Sequence, residues 1–275
     1  MRNMLRGFFI AFLFGIFFDP AFAAEQIRYH GSSTVVSVVT NAVTAFNKKE
    51  GIVIDVKSKS SGVGVEKLLA GECDIAGVGR PLTDELRARG LVATKLFSDA
   101  YVVIVNEHVP LKSLDTKQLG DLVTGKITSW VELIPGNDYK IKVVAPPPGS
   151  AHYQNFQQMF AIQSLPQGAI VADMTPFVMD KVGQHPRAIG WLSYSTLHRS
   201  TANKAKVKML GIQTGAGVVL PTADSVRSNA YPFIEEQYIY TKGEPAGNVK
   251  KFIDFLKGSG GREIIVKTGF FFHES

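Results

Sequence analysis

Three short stretches rich in serine and glycine stand out because each leads into an apolar pattern with helical spacing. They are residues 31–34 (Gly-Ser-Ser-Thr), 60–64 (Ser-Ser-Gly-Val-Gly) and 149–152 (Gly-Ser-Ala-His). The first N–H groups of a helix have no intrahelical partner and lie at the positive end of the helix dipole. Small hydroxyl residues there add donors and let an anion approach closely. A serine at a helix start is also an ordinary N-cap, but three such stretches in one chain indicate an anion-binding cleft.

Short apolar, β-branched runs alternate with helical patterns along the chain. The sequence predicts strands at residues 52–56, 75–78, 101–105, 141–145, 188–192 and 237–241, and helices at 35–48, 65–70, 83–89, 116–124, 153–160, 176–182 and 248–257. This alternation predicts an α/β fold with mostly parallel sheets. Each serine-glycine stretch follows a strand or near-strand and opens a helix. We therefore expect all three at the carboxyl ends of strands, where open α/β sheets bind ligands.

Residues 1–23 have the pattern of a cleaved secretory signal. Two arginines precede an apolar run at residues 7–18, and Ala21 and Ala23 provide the small side chains that a signal peptidase recognises. The run is shorter than the roughly 20 apolar residues of a membrane span, although a retained N-terminal anchor is the alternative. The sequence predicts a secreted, periplasmic protein that begins near Ala24 after cleavage.

The charge of the chain favours small anions over nucleic acids as partners. The 30 Lys and Arg residues against 24 Asp and Glu give a net charge of +6, a mild basicity that attracts anions. It is not concentrated in a run with interleaved aromatic residues, so no nucleic-acid partner is expected. Cys73 is the single cysteine, which excludes an intrachain disulfide and is interpreted as a buried structural thiol. The histidines show no metal-ligand spacing, so neither a metal nor another cofactor is expected.

Further motifs lie between and after the three stretches in a fixed order, at residues 74–76, 79–82, 99–106, 125–130, 188–191, 231–233 and 238–241. Together they resemble the periplasmic phosphate-binding proteins that serve ABC-type importers. The resemblance implies a two-lobed periplasmic-binding-protein fold with an interlobe cleft. Lobe 1 would comprise residues 24–105 and 193–275, and lobe 2 residues 106–192. The chain would cross between the lobes near Asn106 and Leu192, and closure would bury the anion.

The resemblance also implies which residues hold the anion. Ser33, Thr34, Ser61 and Gly62 would supply hydroxyl and backbone donors from lobe 1, and Ser150 would supply the same from lobe 2. An anion held by many neutral dipoles needs no full countercharge when each lone pair finds a donor. The implied function is capture of an inorganic oxyanion, phosphate first, for a membrane ABC permease, by a monomer that is not an enzyme.

Three positions depart from the family pattern. Residues 146–149 read Pro-Pro-Pro-Gly where the family usually has an arginine, and residues 150–152 read Ser-Ala-His in place of Ser-Gly-Thr. Gly79 stands where members carry Ser, or an Asp that accepts a proton from a protonated phosphate. Arg80 and His152 could compensate, the first as a cation and the second as an N–H donor at a helix start. A surface salt bridge for Arg80 and a capping role for His152 are the alternatives.

Two other functions are compatible with parts of the sequence. The same fold could serve as a periplasmic sensor or adaptor subunit that presents its surface to a membrane receptor, with altered or lost anion binding. A phosphohydrolase would need a nucleophile next to a base, and Ser150 with His152 is the single candidate pair. Their side chains lie two residues apart at a helix start and point in different directions.

Three acidic residues are interpreted without a role in ligand binding. Asp99 flanks an apolar strand and is interpreted as a turn or interlobe hydrogen-bond acceptor. Glu235 and Glu236 replace the Arg-Pro that the family often shows, and they are interpreted as a change on the surface.

Overall fold

The computed structural model describes residues 26–200 and 206–273, so the predicted signal at residues 1–23 lies outside the described residues. The strands are β1 (Gln26–Gly31), β2 (Val53–Ser58), β3 (Ile75–Val78), β4 (Leu91–Asn106), β5 (Ser113–Asp115), β6 (Lys142–Ala145), β7 (Ile170–Val171), β8 (Ala188–Ser193), β9 (Val207–Met209), β10 (Gly211–Thr214), β11 (Gly217–Val219), β12 (Ile234–Lys242) and β13 (Phe271–Phe272). The α-helices are α1 (Ser33–Glu50), α2 (Ser61–Leu69), α3 (Asp84–Ala88), α4 (Thr116–Val123), α5 (Ala151–Phe160), α6 (Phe177–Gln184), α7 (Tyr194–Arg199), α8 (Ala223–Arg227), α9 (Gly247–Lys257) and α10 (Ser259–Lys267).

The main sheet has the strand order β2-β1-β3-β12-β4-β8-β6-β7, and β9 and β13 also pair with β4. Strand β1 is parallel to β2 and β3 in one half, and β6 is parallel to β7 and β8 in the other. Antiparallel pairing of β4 and β12 joins the two halves. The predicted two-lobed α/β fold is thereby confirmed, with the parallel pairs inside each half and antiparallel pairs between them.

Strand β4 carries the chain from one half into the other. Its residues up to Ala100 pair with β12, whereas those from Tyr101 onward pair with β8. The return lies beside this point, because the Tyr101 N–H donates to the Phe233 carbonyl at 2.9 Å and Ile234 pairs with Ala100. The two passages between the halves are therefore neighbours in the sheet.

The sequence predicts the crossings between the lobes near Asn106 and Leu192. Asn106 pairs with Val207 and Leu192 pairs with Val102, both inside the second half. Strand β4 is a continuous, mostly buried run of 16 residues, in which no residue marks the change of pairing partner.

Separate apolar cores fix the helices of the two halves. In the first half, one face of α1 is fully buried beneath the sheet, through Val35, Val38, Val39, Ala42 and Phe46. In the second half, Phe156 of α5 stacks on Trp191 of β8 with ring centroids 4.9 Å apart. Burial of one such side chain contributes about 1.5–3 kcal/mol, so both helix starts are held on rigid supports.

Cys73 is buried, as predicted, and its thiol contacts the Gly64 carbonyl at 3.8 Å. Burial raises the pKa of this thiol to about 11. In residues 26–200 and 206–273, no helix has the length and apolar character needed to cross a membrane.

Candidate functional site

Helices α1, α2 and α5 each begin after a serine that caps them. The Oγ atoms of Ser32, Ser60 and Ser150 accept backbone N–H groups two or three residues further on, at 3.2, 3.3 and 3.2 Å. Each of the three predicted stretches therefore contains one serine in a capping role, which satisfies one orphan donor of the helix.

On the first half, the starts of α1 and α2 meet at the carboxyl ends of β1 and β3. A Cβ on Gly31 would lie 2.3 Å from the Gly77 carbonyl oxygen, and one on Gly64 would lie 2.9 Å from the Gly31 Cα. These contacts require glycine, because any side chain would separate the two helix starts. The sequence-predicted stretches at 31–34 and 60–64 are thus brought together.

The four predicted lobe-1 residues occupy the first turns of these helices. Ser33 is exposed, and the half-buried Thr34 donates its N–H to Ser32. Ser61 accepts the N–H of Gly79 at 3.3 Å, and within the described ranges its own hydroxyl hydrogen has no acceptor. Gly62 lies half-buried in the first turn of α2. Ser61 thus keeps a donor for a ligand.

On the second half, Ser150 and His152 are engaged within the protein. The Ser150 hydroxyl donates to the Pro147 carbonyl at 2.7 Å and accepts from Tyr153. The half-buried ring of His152 contacts Tyr101 edge to face at 5.7 Å. Burial, with a smaller contribution from the charge of Arg199, lowers the pKa of His152 to about 4. His152 is therefore neutral near pH 7 and has at most one ring N–H to donate.

A cavity of about 610 Å³ lies between the halves. Its walls include Gly79 and Arg80 after β3, Asn155 and Met159 on α5, and Tyr101 and Glu235 on the paired strands β4 and β12. Of the seven predicted site residues, Arg80 lines this cavity. Ser61 reaches its wall through the hydrogen bond to Gly79. Ser33, Thr34, Gly62, Ser150 and His152 do not line it.

Arg80 is an exposed cation at the cavity wall. Its carbonyl accepts the Tyr240 hydroxyl at 2.8 Å, which fixes the backbone at this point. Its guanidinium has no ion-pair partner in the described part of the chain, so the predicted alternative of a surface salt bridge is not observed. An unpaired guanidinium can donate two parallel hydrogen bonds to an oxyanion.

Four polar residues missed by the sequence analysis lie where the halves join, and we call them the hinge cluster: Tyr101, Asn155, Glu235 and Gln237. The Asn155 amide donates to the Tyr101 hydroxyl and, at 3.3 Å, to Glu235 Oε1. Gln237 is fully buried, and neither atom of its amide has a hydrogen-bond partner among the described residues. Its amide lies beside the Glu235 carboxylate and acts to lower the pKa of that carboxylate, an effect smaller than that of burial.

The interpretation of Glu235 and Glu236 as a change on the surface is wrong for Glu235, whose carboxylate lies in the cavity wall beside Gly79. Side chains alternate along β12, so Glu235 and Gln237 both lie beside Gly79 while Glu236 contacts Lys95 and Tyr238. Glu235 and Glu236 line the cavity, whereas Gln237 is fully buried and does not line it. Burial, with the charge of Asp99 adding to it, raises the pKa of Glu235 to about 7. The alternation was visible in the sequence, but which face would be buried depended on strand pairing.

Asp99 has the role of a hydrogen-bond acceptor between elements, as predicted. It is 2% exposed and accepts the N–H groups of Ala100 at 2.8 Å and Ser195 at 3.1 Å. It does not line the cavity. No group of His, Cys, Asp and Glu within residues 26–200 and 206–273 could hold a metal ion.

Comparisons with known proteins agree with the two-lobed fold. Residues 20–258 match the family model of the PBP superfamily domain. The phosphate-binding protein PstS of Bacillus subtilis (strain 168) is 29% identical over 247 residues, which cover 89% of this chain and 79% of that protein.

Two solved structures share the fold. PstS from Borrelia burgdorferi has a TM-score of 0.75 and 23% identity, covering 91% of this chain and 100% of that chain. An ABC-type phosphate transport receptor from Vibrio cholerae has a TM-score of 0.75 and 24% identity, covering 90% and 100%.

Proposed function

We propose that this chain, which belongs to the PBP superfamily, captures an inorganic oxyanion in its interlobe cleft and presents it to a membrane ABC importer. Phosphate is the proposed ligand, because relatives over most of the chain are named as phosphate-binding proteins. The observation that carries the proposal is the unpaired Arg80 guanidinium at the cavity wall. Next to it, Ser61 keeps a hydroxyl donor beside Gly79.

The proposed ligand shell is unequal between the halves. From the first half, the hydroxyl of Ser61 and the first-turn groups of Ser33, Thr34 and Gly62 would donate, with Arg80 as the full charge. From the second half, the donors would be the first backbone N–H groups of α5, including that of His152, since they have no intrahelical partner. Ser150 would contribute its hydroxyl only after giving up its bond to Pro147.

The proposal includes export to the periplasm through residues 1–23 and action as a monomer. It includes no chemical step. Ser150 donates to a carbonyl and His152 packs on Tyr101, so a nucleophile and a base are not assembled there. The membrane partner would be the permease, or a receptor if the protein is a sensor or adaptor subunit.

Isothermal titration of the exported, purified protein with phosphate tests the proposal, after bound ligand is removed by unfolding and refolding. We expect a dissociation constant on the order of 1 μM or lower. Arg80→Ala should weaken binding, whereas Arg89→Ala, at an exposed position outside the cavity, is the matched control. If no oxyanion gives heat of binding or a shift in melting temperature, the proposed capture of an oxyanion is contradicted. A role as a sensor or adaptor subunit would then be favoured.

A further inference from the structure

The cavity between the halves has more room than an inorganic oxyanion needs. Its volume of about 610 Å³ falls within the roughly 300–1,000 Å³ of sites that hold small organic molecules. Beside the polar residues, its walls include the apolar side chains of Pro81, Met159 and Ile234. An inorganic oxyanion has no apolar surface to bury against them, whereas the carbon atoms of an organic ligand do. The cavity therefore has room and a suitable surface for an organic substituent on the oxyanion.

The charged residues of the cavity wall are one cation, Arg80, and two carboxylates, Glu235 and Glu236. Glu236 forms an ion pair with Lys95 outside the lining. Within residues 26–200 and 206–273, neither Arg80 nor Glu235 has an ion-pair partner, and the two do not pair with each other. The cavity therefore presents one positive and one negative group that are both available to a ligand.

The Glu235 carboxylate lies next to the residues that are proposed to hold the oxyanion. Its Oε1 is 3.3 Å from the position that a Cβ on Gly79 would occupy. The Gly79 N–H donates to the Ser61 hydroxyl at 3.3 Å, and Arg80 is the next residue along the chain. A carboxylate repels an anion, and the repulsion is stronger in a low-dielectric site than in water. A ligand that carries a cationic group beside its oxyanion replaces this repulsion with attraction.

We propose that the cleft binds zwitterionic aminoalkyl phosphates or phosphonates, in which a short alkyl chain joins a phosphoryl group to an ammonium group. The Arg80 guanidinium and the Ser61 hydroxyl donate to the phosphoryl oxygens. The Glu235 carboxylate accepts the N–H groups of the ammonium. The alkyl chain between the two charges packs against the apolar part of the wall, at Met159 and Ile234. This inference rests on the proposed function, and it names the class of phosphoryl compound that the site favours.

The protonation of Glu235 reports whether a cationic group has entered the cavity. The charged and titratable groups on the elements around Glu235 are Lys95, Asp99 and Tyr101 on β4, Glu236 on β12, His152 on α5 and Arg80 after β3. Burial, with the charge of Asp99 adding to it, raises the pKa of Glu235 to about 7. A bound ammonium group favours the ionised carboxylate and lowers this pKa. Near pH 7, where roughly half of the Glu235 carboxyl groups are protonated, binding of the zwitterion therefore releases protons.

Calorimetric titration of the full exported protein with phosphoethanolamine and with ethyl phosphate tests the inference, because these two monoesters differ only in the ammonium group. At about pH 8, Glu235 is mostly ionised and the ammonium group keeps its proton. We expect the wild type to bind phosphoethanolamine at least about tenfold more tightly than ethyl phosphate. Glu235→Gln should abolish this preference, because a neutral amide gives the ammonium no countercharge. Glu244→Gln, which removes an exposed carboxylate beyond the end of β12, should keep it.

A second measurement needs no variant and covers the case in which Glu235→Gln fails to fold. Titrations of the wild type at about pH 7, in buffers with different enthalpies of ionisation, measure the protons released on binding. Phosphoethanolamine should release more protons than ethyl phosphate. In a wild type that binds phosphate, equal affinity for the two monoesters, equal proton release, or a preference that persists in Glu235→Gln would overturn this inference alone. A wild type that binds neither phosphate nor a monoester would overturn the proposed function and this inference with it.

Discussion

The starts of α2 and α5 are similar in sequence but differ in what their hydroxyl groups do. At α2, Ser60 caps the helix and the next residue, Ser61, provides a second hydroxyl at Gly79. At α5, Ser150 caps the helix but is followed by Ala151, and its hydroxyl is also bonded to Pro147. The residue after the cap, rather than the cap itself, decides whether a helix start offers a hydroxyl to a ligand.

This difference predicts that substitutions at the two helix starts affect different properties, the affinity for the anion at α2 and the stability at α5. Changes near the start of α2 should lower the affinity for the anion and leave the free energy of unfolding nearly unchanged. Changes at the start of α5 should do the opposite. Substitutions at His152, Arg80, Ser150 and Ser61, in order of decreasing expected effect, test this contrast.

The largest effect concerns acid stability and His152. Its pKa in the folded protein, about 4, lies below the ordinary 6.5, so the unfolded state binds more protons between these values. The contribution of neutral His152 to stability is complete above pH 6.5 and is lost as the pH falls toward and below 4, on the order of 3 kcal/mol at about pH 4. Between these pH values, thermal unfolding of His152→Gln should show a correspondingly smaller loss of stability than thermal unfolding of the wild type. His108→Gln, at an exposed position, should lose as much stability as the wild type.

The next effect concerns Arg80. A charge-assisted hydrogen bond contributes about 1.5–3 kcal/mol, so Arg80→Ala should weaken phosphate binding by about 10- to 100-fold at nearly unchanged melting temperature. Titration calorimetry of Arg80→Ala and of the control Arg89→Ala measures this loss of phosphate affinity. An affinity equal to that of the control would remove Arg80 from the site.

Ser150→Ala should act on stability instead of affinity. Loss of an N-cap costs about 0.5–2 kcal/mol, and Ser150 also loses its bond to Pro147. Urea unfolding should show the loss, while the phosphate dissociation constant changes by less than about twofold. A large loss of affinity with intact stability would instead make the Ser150 hydroxyl a ligand group.

Ser61→Ala should give the smallest effect. One neutral hydrogen bond contributes about 0.5–1.5 kcal/mol, so we expect phosphate affinity to fall by about 2- to 10-fold. Ser259→Ala removes a serine from the same first position of a helix, α10, far along the chain. If Ser61→Ala and Ser259→Ala bind phosphate with equal affinity, the contrast between the starts of α2 and α5 disappears.

The helix starts could be predicted from the sequence because capping chemistry is local. Ser60 and Ser150 satisfy N–H groups only three residues away, and their loops are short. The crossings between halves could not be predicted, since Ala100 and Tyr101 sit within one buried strand and only their hydrogen-bond partners distinguish them.

The hinge cluster was missed for a related reason. Glu235 and Gln237 approach Gly79 because β12 pairs with β3, with Tyr238 opposite Val78. That register connects residues more than 150 positions apart and is set by the packing of the whole sheet. The sequence alone shows two adjacent glutamates, which are ordinarily solvated.

The neighbouring passages at Ala100–Tyr101 and Phe233–Ile234 link the shape of the protein to the contents of its cavity. Any rotation of one half against the other changes backbone dihedrals at these four residues, and Tyr101 and Glu235 are themselves at or next to them. A ligand that favours one position of these side chains therefore favours one angle between the halves. By reciprocity, whatever holds the halves at that angle, including a membrane partner, must change the ligand affinity by the same factor.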